Sequence, residues 1–121
     1  GLLVNMIDQR GWNLTPHFIS YTLSKAGLWT LTQTLAMALA PRIRVNAIGP
    51  GPTLKNVRQT EEEFAAQRDA TPLRRGPSPE EICAALRFLI EARSVTGQMV
   101  ALDGGEHLGW AQPSLGFVPT E

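Results

Sequence analysis

The chain has 121 residues, of which 43% are hydrophobic and 18% are charged, and its formal net charge is zero. No basic stripe indicates a nucleic-acid partner, and no apolar run approaches the roughly 20 residues that cross a bilayer. The single cysteine, Cys83, excludes an internal disulfide and favours a cytoplasmic location.

The first half of the chain predicts a strand–helix–strand unit. Residues 2–7 are mostly apolar, as in a buried strand, and Asp8 follows at the strand's carboxyl end. Residues 18–39 are rich in helix formers and stop before a proline, which predicts one long helix. Residues 42–48 alternate polar and apolar side chains and break at the rigid segment 49–52, which predicts a second, parallel strand. The buried face of the helix is expected at Leu23, Ala26, Leu31, Leu35, Ala38 and Leu39.

The second half extends this order with a longer insertion. Residues 53–76 are polar and charged, with a short helix expected near 61–68, and we expect a mobile segment rather than core. Residues 78–81 form a capping box that begins another helix, and residues 98–102 predict a third strand. The order β-α-β-α-β places the chain in the α/β class. The buried face of the second long helix is expected at Ile82, Ala85, Leu86, Leu89 and Ile90.

Tyr21 and Lys25 are the residues most suggestive of chemistry. At positions i and i+4 they share one helix face, so the ammonium group is placed to favour the phenolate. An unperturbed tyrosine titrates near pH 10, so a neighbouring cation is what makes it a usable acid near neutrality. Such a pair alone is a weak signal, because both residues are common in helices.

Three ordered blocks resemble the C-terminal half of the short-chain dehydrogenase/reductase family, and they are Tyr21-x-x-x-Lys25, residues 44–51, and residues 95–98 leading to Asp103-Gly104-Gly105. The resemblance implies a Rossmann-like, doubly wound parallel sheet and NAD(P)H-dependent hydride transfer. It also implies that Tyr21 exchanges the proton and that Lys25 binds the nicotinamide ribose. Pro50 and Gly51 would then border the nicotinamide, and Thr53 would contact its carboxamide.

Asp8 departs from the family pattern, which usually has serine thirteen residues before the tyrosine. An ionised carboxylate there opposes charge developing on a carbonyl oxygen, but it accepts hydrogen bonds from an amidine-like N–H edge. Asp8 therefore resembles the aspartate of pteridine and dihydromonapterin-type reductases, which implies reduction of a pterin or dihydropterin C=N bond with NADP preferred over NAD. The alternatives are that Asp8 only caps its loop or pairs with Arg10, or that another imine or a carbonyl is the substrate.

The remaining expectations concern the pocket, the assembly and the extent of the domain. Phe18, Leu54 and the segment 55–75 are expected to shape the substrate pocket, and no metal-ligand spacing is present. Residues 1–105 are expected to be the catalytic half of one domain, and residues 106–121 a tail.

The glycine-rich turn of a dinucleotide-binding half is missing, which implies a fragment and leaves open an inactive binding protein. A homodimer or homotetramer is expected from apolar residues on the first helix that one sheet cannot cover, namely Leu28, Trp29, Met37 and Leu39.

Overall fold

The computed structural model describes residues 1–8 and 18–109. Predictions that fall on residues 9–17 and 110–121, including Arg10 and most of the tail, lie outside the described residues. The described elements are β1 (Leu2–Met6), α1 (Ile19–Leu39), β2 (Arg44–Pro50), α2 (Glu61–Asp69), α3 (Pro79–Glu91), β3 (Met99–Leu102) and a short 3₁₀ helix (Glu106–Leu108).

The three strands form one parallel sheet in the order β1-β2-β3. In the central strand, the adjacent residues Ala47 and Ile48 point to opposite faces of the sheet. Ala47 packs with Ile7 and Met99 beneath α1, whereas Ile48 packs with residues of α3. Helices therefore cover both faces, as predicted for part of a doubly wound α/β sheet.

The boundaries of β2 differ from the predicted 42–48. Arg42 and Ile43 belong to a turn, since both of their amides donate to the carbonyl oxygen of Leu39. At its other end the strand continues to Pro50, which pairs with Leu102. Pro50 is tolerated there because it occupies the last strand position, where a missing N–H costs little.

The buried face of α1 is not the one that the sequence predicts. Thr22, Thr32 and Ala36 are its buried residues, whereas Leu23 and Leu31 are 72% and 47% exposed. The helix carries apolar side chains on several sides, so their spacing does not select a single face.

A hydrogen-bonded pair explains why a threonine lies at the centre of this face. The Thr32 hydroxyl accepts a hydrogen bond from Asn5 Nδ2 at 3.0 Å and donates one to the carbonyl oxygen of Leu28 at 2.8 Å. Leu28 and Trp29 were predicted to lie outside the surface that the sheet covers, but they pack against the core cluster of Ile7, Ala47 and Met99. Met37, from the same prediction, is 76% exposed.

The start of α3 confirms the predicted capping box. Ser78 Oγ accepts from the Glu81 amide at 3.1 Å, and Glu81 Oε2 accepts from the Ser78 amide at 2.8 Å. On the buried face, Leu89 is buried as predicted, but Ile90 is 54% exposed. Leu86 is 39% exposed as well, so the buried face is narrower than the sequence predicts.

The end of α3 is held by Arg44 on the central strand. Its guanidinium group donates to the carbonyl oxygens of Leu89, Ile90, Ala92 and Val95, at 2.8 to 3.1 Å. The carbonyls of Leu89 and Ile90 lie in the last helical turn, where intrahelical partners run out, and those of Ala92 and Val95 lie in the turn beyond it. One side chain thus caps the helix end and ties it to the sheet.

The sequence predicts that the segment between β2 and α3 lies outside the core, but part of this segment is packed in the structure. Thr71 is only 4% exposed, and its hydroxyl bonds the backbone of Arg68 and Arg75. The buried Gly76 lies against the carbonyl group of Pro52, so closely that a Cβ atom would overlap it. This glycine lets the segment return to the sheet.

None of the helices in the described part of the chain combines the length and hydrophobicity that a membrane span requires. The cytoplasmic location stays a prediction.

Candidate active site

Asp8, Tyr21 and Lys25 come together at the carboxyl end of β1. The Tyr21 hydroxyl donates a hydrogen bond to Asp8 Oδ2 at 3.3 Å. Lys25 Nζ donates to the carbonyl oxygen of Met6 at 3.4 Å and lies 5.6 Å from the centroid of the Tyr21 ring. The carboxylate, the phenol and the ammonium group thus form one polar cluster where β1 ends.

Phe18 turns the chain into α1 at this point. It is the residue before the helix, in the left-handed conformation with φ 54°, and its carbonyl oxygen accepts from the Thr22 amide in the first helical turn. The ring is 71% exposed and does not line the cleft described below. Its predicted role in the substrate pocket stays a prediction.

The loop after β2 approaches the turn after β3 very closely. The Gly51 amide donates to the carbonyl oxygen of Leu102 at 2.9 Å, and a Cβ atom on Gly51 would lie 2.7 Å from the Cα atom of Asp103. Only glycine permits this contact. The Thr53 hydroxyl donates to the Gly51 carbonyl oxygen at 2.9 Å and so fixes the loop.

Asp103 organises the turn on which this loop rests. Its carboxylate is buried and accepts hydrogen bonds from the amides of Gly105 and His107, at 3.0 and 2.9 Å. It also lies 2.9 Å from Nδ1 of His107. In the sequence Asp103 is only a turn residue, whereas in the structure it supports the site.

A cleft of about 360 Å³ opens beside the polar cluster. Most of the sequence-predicted site residues line it, including Leu54. Tyr21 adjoins it through its hydrogen bond to Asp8, and Lys25 lies behind the Tyr21 ring. The sequence did not single out Glu106, whose one signal is its position directly after the Asp-Gly-Gly turn. The lining residues are Asp8, Pro50, Gly51, Pro52, Thr53, Leu54, Asn56, Gln59, Gln67 and Glu106.

The described residues contain no group of three or more His, Cys, Asp or Glu side chains arranged to hold a metal ion. The cleft is instead a site of hydrogen-bonding groups at the carboxyl ends of parallel strands, which is where open α/β sheets bind their ligands.

Comparison with known proteins gives consistent relationships. The family profile described as enoyl-(acyl carrier protein) reductase matches residues 1–107. The granaticin polyketide synthase putative ketoacyl reductase 2 of Streptomyces violaceoruber is 36% identical over 112 residues, which cover 89% of this chain and 45% of that protein. Dihydromonapterin reductase of Citrobacter koseri is 34% identical over 90 residues, which cover 74% of this chain and 38% of that protein.

Among solved structures, FolM alternative dihydrofolate reductase 1 from Brucella suis, in complex with NADP, is 59% identical with a TM-score of 0.89. The match covers 94% of this chain and 46% of that one. The chain spans less than half the length of the curated relatives described above, 45% and 38% respectively. With its parallel sheet and its Tyr21–Lys25 pair, the chain belongs to the short-chain dehydrogenase/reductase family.

Proposed function

We propose that this protein is an NADPH-dependent reductase that reduces the C=N bond of a pterin or dihydropterin. The observation that carries the proposal is the hydrogen bond of 3.3 Å between the Tyr21 hydroxyl and the Asp8 carboxylate at the cleft. The likeness to dihydromonapterin reductase and to FolM alternative dihydrofolate reductase 1 supports it.

The residues around the cleft fit a nicotinamide cofactor. Gly51 has no side chain, so a ligand can approach the backbone of the cleft wall between Pro50 and Pro52. The Thr53 hydroxyl, which donates to the Gly51 carbonyl oxygen, can still accept a hydrogen bond from a carboxamide N–H. Lys25 supplies ammonium donors for the ribose hydroxyls. We favour NADP over NAD because the FolM structure contains NADP. When bound, the cofactor supplies the hydride.

Asp8 suits recognition of a nitrogen-rich ring. A carboxylate has two oxygens and about four lone-pair sites, so it can accept from the Tyr21 hydroxyl and from a substrate N–H edge at the same time. A 2-amino-pyrimidinone ring presents such an edge, and hydrogen bonds to an ionised acceptor are stronger than neutral ones. Asp8 thereby orients the ring in the cleft and keeps it next to Tyr21.

Tyr21 then completes the reduction as a proton donor. The hydroxyl proton, which points to Asp8 Oδ2 in the structure, would turn to the nitrogen of the C=N bond as the carbon of that bond takes the hydride, and the double bond would become a single C–N bond. The phenolate left behind is favoured by the Lys25 ammonium group, 5.6 Å from the ring centroid. The Tyr21 side chain is 42% exposed, so it regains its proton from water.

The substrate class is tested by assaying the intact protein with NADPH. We expect NADPH oxidation with a dihydropterin and little or none with a simple ketone. Turnover of the ketone alone would contradict the proposal, and oxidation with neither substrate would favour the inactive binding protein.

Carbonyl reduction is the second candidate function. It is supported by the 36% identity to a ketoacyl reductase. On this alternative, the Asp8 carboxylate must not oppose the charge that develops on the carbonyl oxygen. Turnover of a ketone with NADPH, without turnover of a dihydropterin, would favour this function over pterin reduction.

We also propose that the protein assembles into a homodimer or homotetramer. Large apolar side chains on α1 remain exposed, and on a soluble protein such a surface usually meets another protein. The exposed apolar residues of α1 are Ile19, Leu23, Leu31 and Met37.

A further inference from the structure

Asp103 and His107 form a side-chain pair behind the wall of the cleft. Nδ1 of His107 lies 2.9 and 3.0 Å from the two carboxylate oxygens of Asp103. The His107 side chain is 29% exposed and that of Asp103 is 1% exposed. The backbone amides of Gly105 and His107 donate to the same two oxygens. Both oxygens are thus acceptors, so the ring proton between the two side chains belongs on Nδ1 of His107.

The backbone of this turn depends on support from side chains. Gly104 and Gly105 have positive φ angles of 64° and 88°, and glycine has the widest conformational freedom of any residue. The helix Glu106–Leu108 has three residues and is 3₁₀, a form whose hydrogen bonds are poorer than those of an α-helix. The contact between Asp103 and His107 spans both glycines and joins the end of β3 to this helix.

The same turn supports the cleft wall. The Gly51 amide donates to the carbonyl oxygen of Leu102, and a Cβ atom on Gly51 would lie 2.7 Å from the Asp103 Cα atom. Gly51 lines the cleft from the loop after β2, and Glu106 lines it from the turn itself. Because Gly51 and Asp103 are in backbone contact, a shift of the turn moves the wall with it.

We infer that His107 is a positioning residue for the cofactor, because its Nδ1–H bond to Asp103 holds the cleft wall at Gly51 in place. His107 does not line the cleft, so it acts only through Asp103. The inference rests on the proposed function, in which this wall borders the nicotinamide of NADPH. Loss of the ring donor should weaken NADPH binding more than it slows the chemical step, because Tyr21 is carried by α1 and not by this turn.

Two substitutions of similar shape test the contact. Asparagine and leucine branch at the same carbon, but His107→Asn keeps an N–H donor near the position of Nδ1 and His107→Leu does not. Both remove Nε2, so any other contact of the ring is lost equally. Isothermal titration calorimetry with NADPH on the intact protein measures the Kd, and circular dichroism checks folding. His107→Leu should raise the Kd about tenfold, and His107→Asn should stay within about twofold of wild type.

Steady-state kinetics with a dihydropterin supplies a second readout. His107→Leu should raise the KM for NADPH about tenfold and leave kcat within about twofold of wild type. Leu108→Ala is the matched control, since it removes a side chain that is 67% exposed on the same 3₁₀ helix. It should leave both the Kd and the KM for NADPH unchanged.

A measurement on the wild-type ring decides the matter if His107→Leu does not fold. In ¹⁵N NMR spectra of the histidine-labelled intact protein at about pH 8.5, where ordinary histidines are neutral, the signals that His107→Asn removes should show the proton on Nδ1.

Three results would overturn the inference and leave the proposed function intact. They are a proton on Nε2, equal NADPH affinity in His107→Leu and His107→Asn, and a Kd raised as much by Leu108→Ala as by His107→Leu. Failure of the intact wild type to bind NADPH would overturn both.

Discussion

At the scale of single residues, the site depends on one exchange of side-chain chemistry. The family usually has a serine hydroxyl where this chain has Asp8, and Asp8 accepts a hydrogen bond of 3.3 Å from Tyr21. A carboxylate accepts hydrogen bonds where a hydroxyl can donate them, so the exchange changes which ligand edge is recognised. In the proposed function, the Tyr21–Lys25 pair supplies the proton chemistry and Asp8 supplies the preference for a nitrogen-rich ring.

Replacement of the proton donor tests this chemistry. Tyr21→Phe should lower kcat by about two to four orders of magnitude, the usual contribution of a positioned acid. The fold should persist, because the side chain is already 42% exposed. Steady-state kinetics on the intact protein measures the effect, and Ser24→Ala, which removes a hydroxyl from the same helix, should retain activity. Near-normal turnover by Tyr21→Phe would remove Tyr21 from the mechanism.

At the scale of elements, the return of the chain from α3 to the sheet depends on Arg44. A single guanidinium group serves four carbonyl oxygens at the end of the helix and in the turn beyond it. Asn46 adds to this support, since its side chain bonds the carbonyl of Val95 and the amide of Gln98. The family block around these residues therefore supports the fold, beside the loop after β2 that lines the cleft.

Loss of this support should be measurable as stability. Arg44→Ala should lower the free energy of unfolding by about 2 kcal/mol, because four carbonyls, three of them partly buried, lose a charge-assisted partner. Urea unfolding followed by circular dichroism measures the change. Arg42→Ala, an exposed arginine in the preceding turn, is the control and should change stability by less than about 0.5 kcal/mol. Equal stability of the two variants would contradict the account of Arg44.

The sequence predicts the order and type of the main elements, because turn residues and capping signals mark their limits. The capping box at Ser78 and the strand before Asp8 are local patterns of this kind. The buried face of α1 could not be predicted, since its apolar residues surround the helix. The place of Glu106 in the cleft could not be predicted either. It joins Asp8 there only because the parallel sheet brings the carboxyl ends of β1 and β3 to the same end of the sheet.

At the scale of the whole molecule, the proposed assembly rests on apolar surface that α1 leaves exposed. Met37 and Leu31 are 76% and 47% exposed on a helix whose other side packs on the sheet. Burying apolar surface of this kind between subunits is favourable by about 25 cal/mol per Å². The proposed dimer or tetramer would cover it.

Charge on this surface should weaken the assembly. We expect the intact wild-type protein to be a dimer or tetramer, and Leu31→Glu combined with Met37→Glu to shift it toward monomer, as measured by size-exclusion chromatography with light scattering. Ala65→Glu, an exposed position on α2, is the control and should not change the mass. A monomeric wild type would contradict the proposal.

The central claim is that the carboxylate of Asp8 directs the protein to a C=N substrate, and Asp8→Ser tests it most directly. The measurement is kcat/KM with NADPH for a dihydropterin and for a simple ketone, on wild type, Asp8→Ser and the control Asp69→Ser, which removes an exposed carboxylate. We predict that Asp8→Ser lowers the dihydropterin value by about a hundredfold, as expected for loss of hydrogen bonds to a charged group, and raises the ketone value. Dihydropterin reduction that is unchanged in Asp8→Ser would contradict the account.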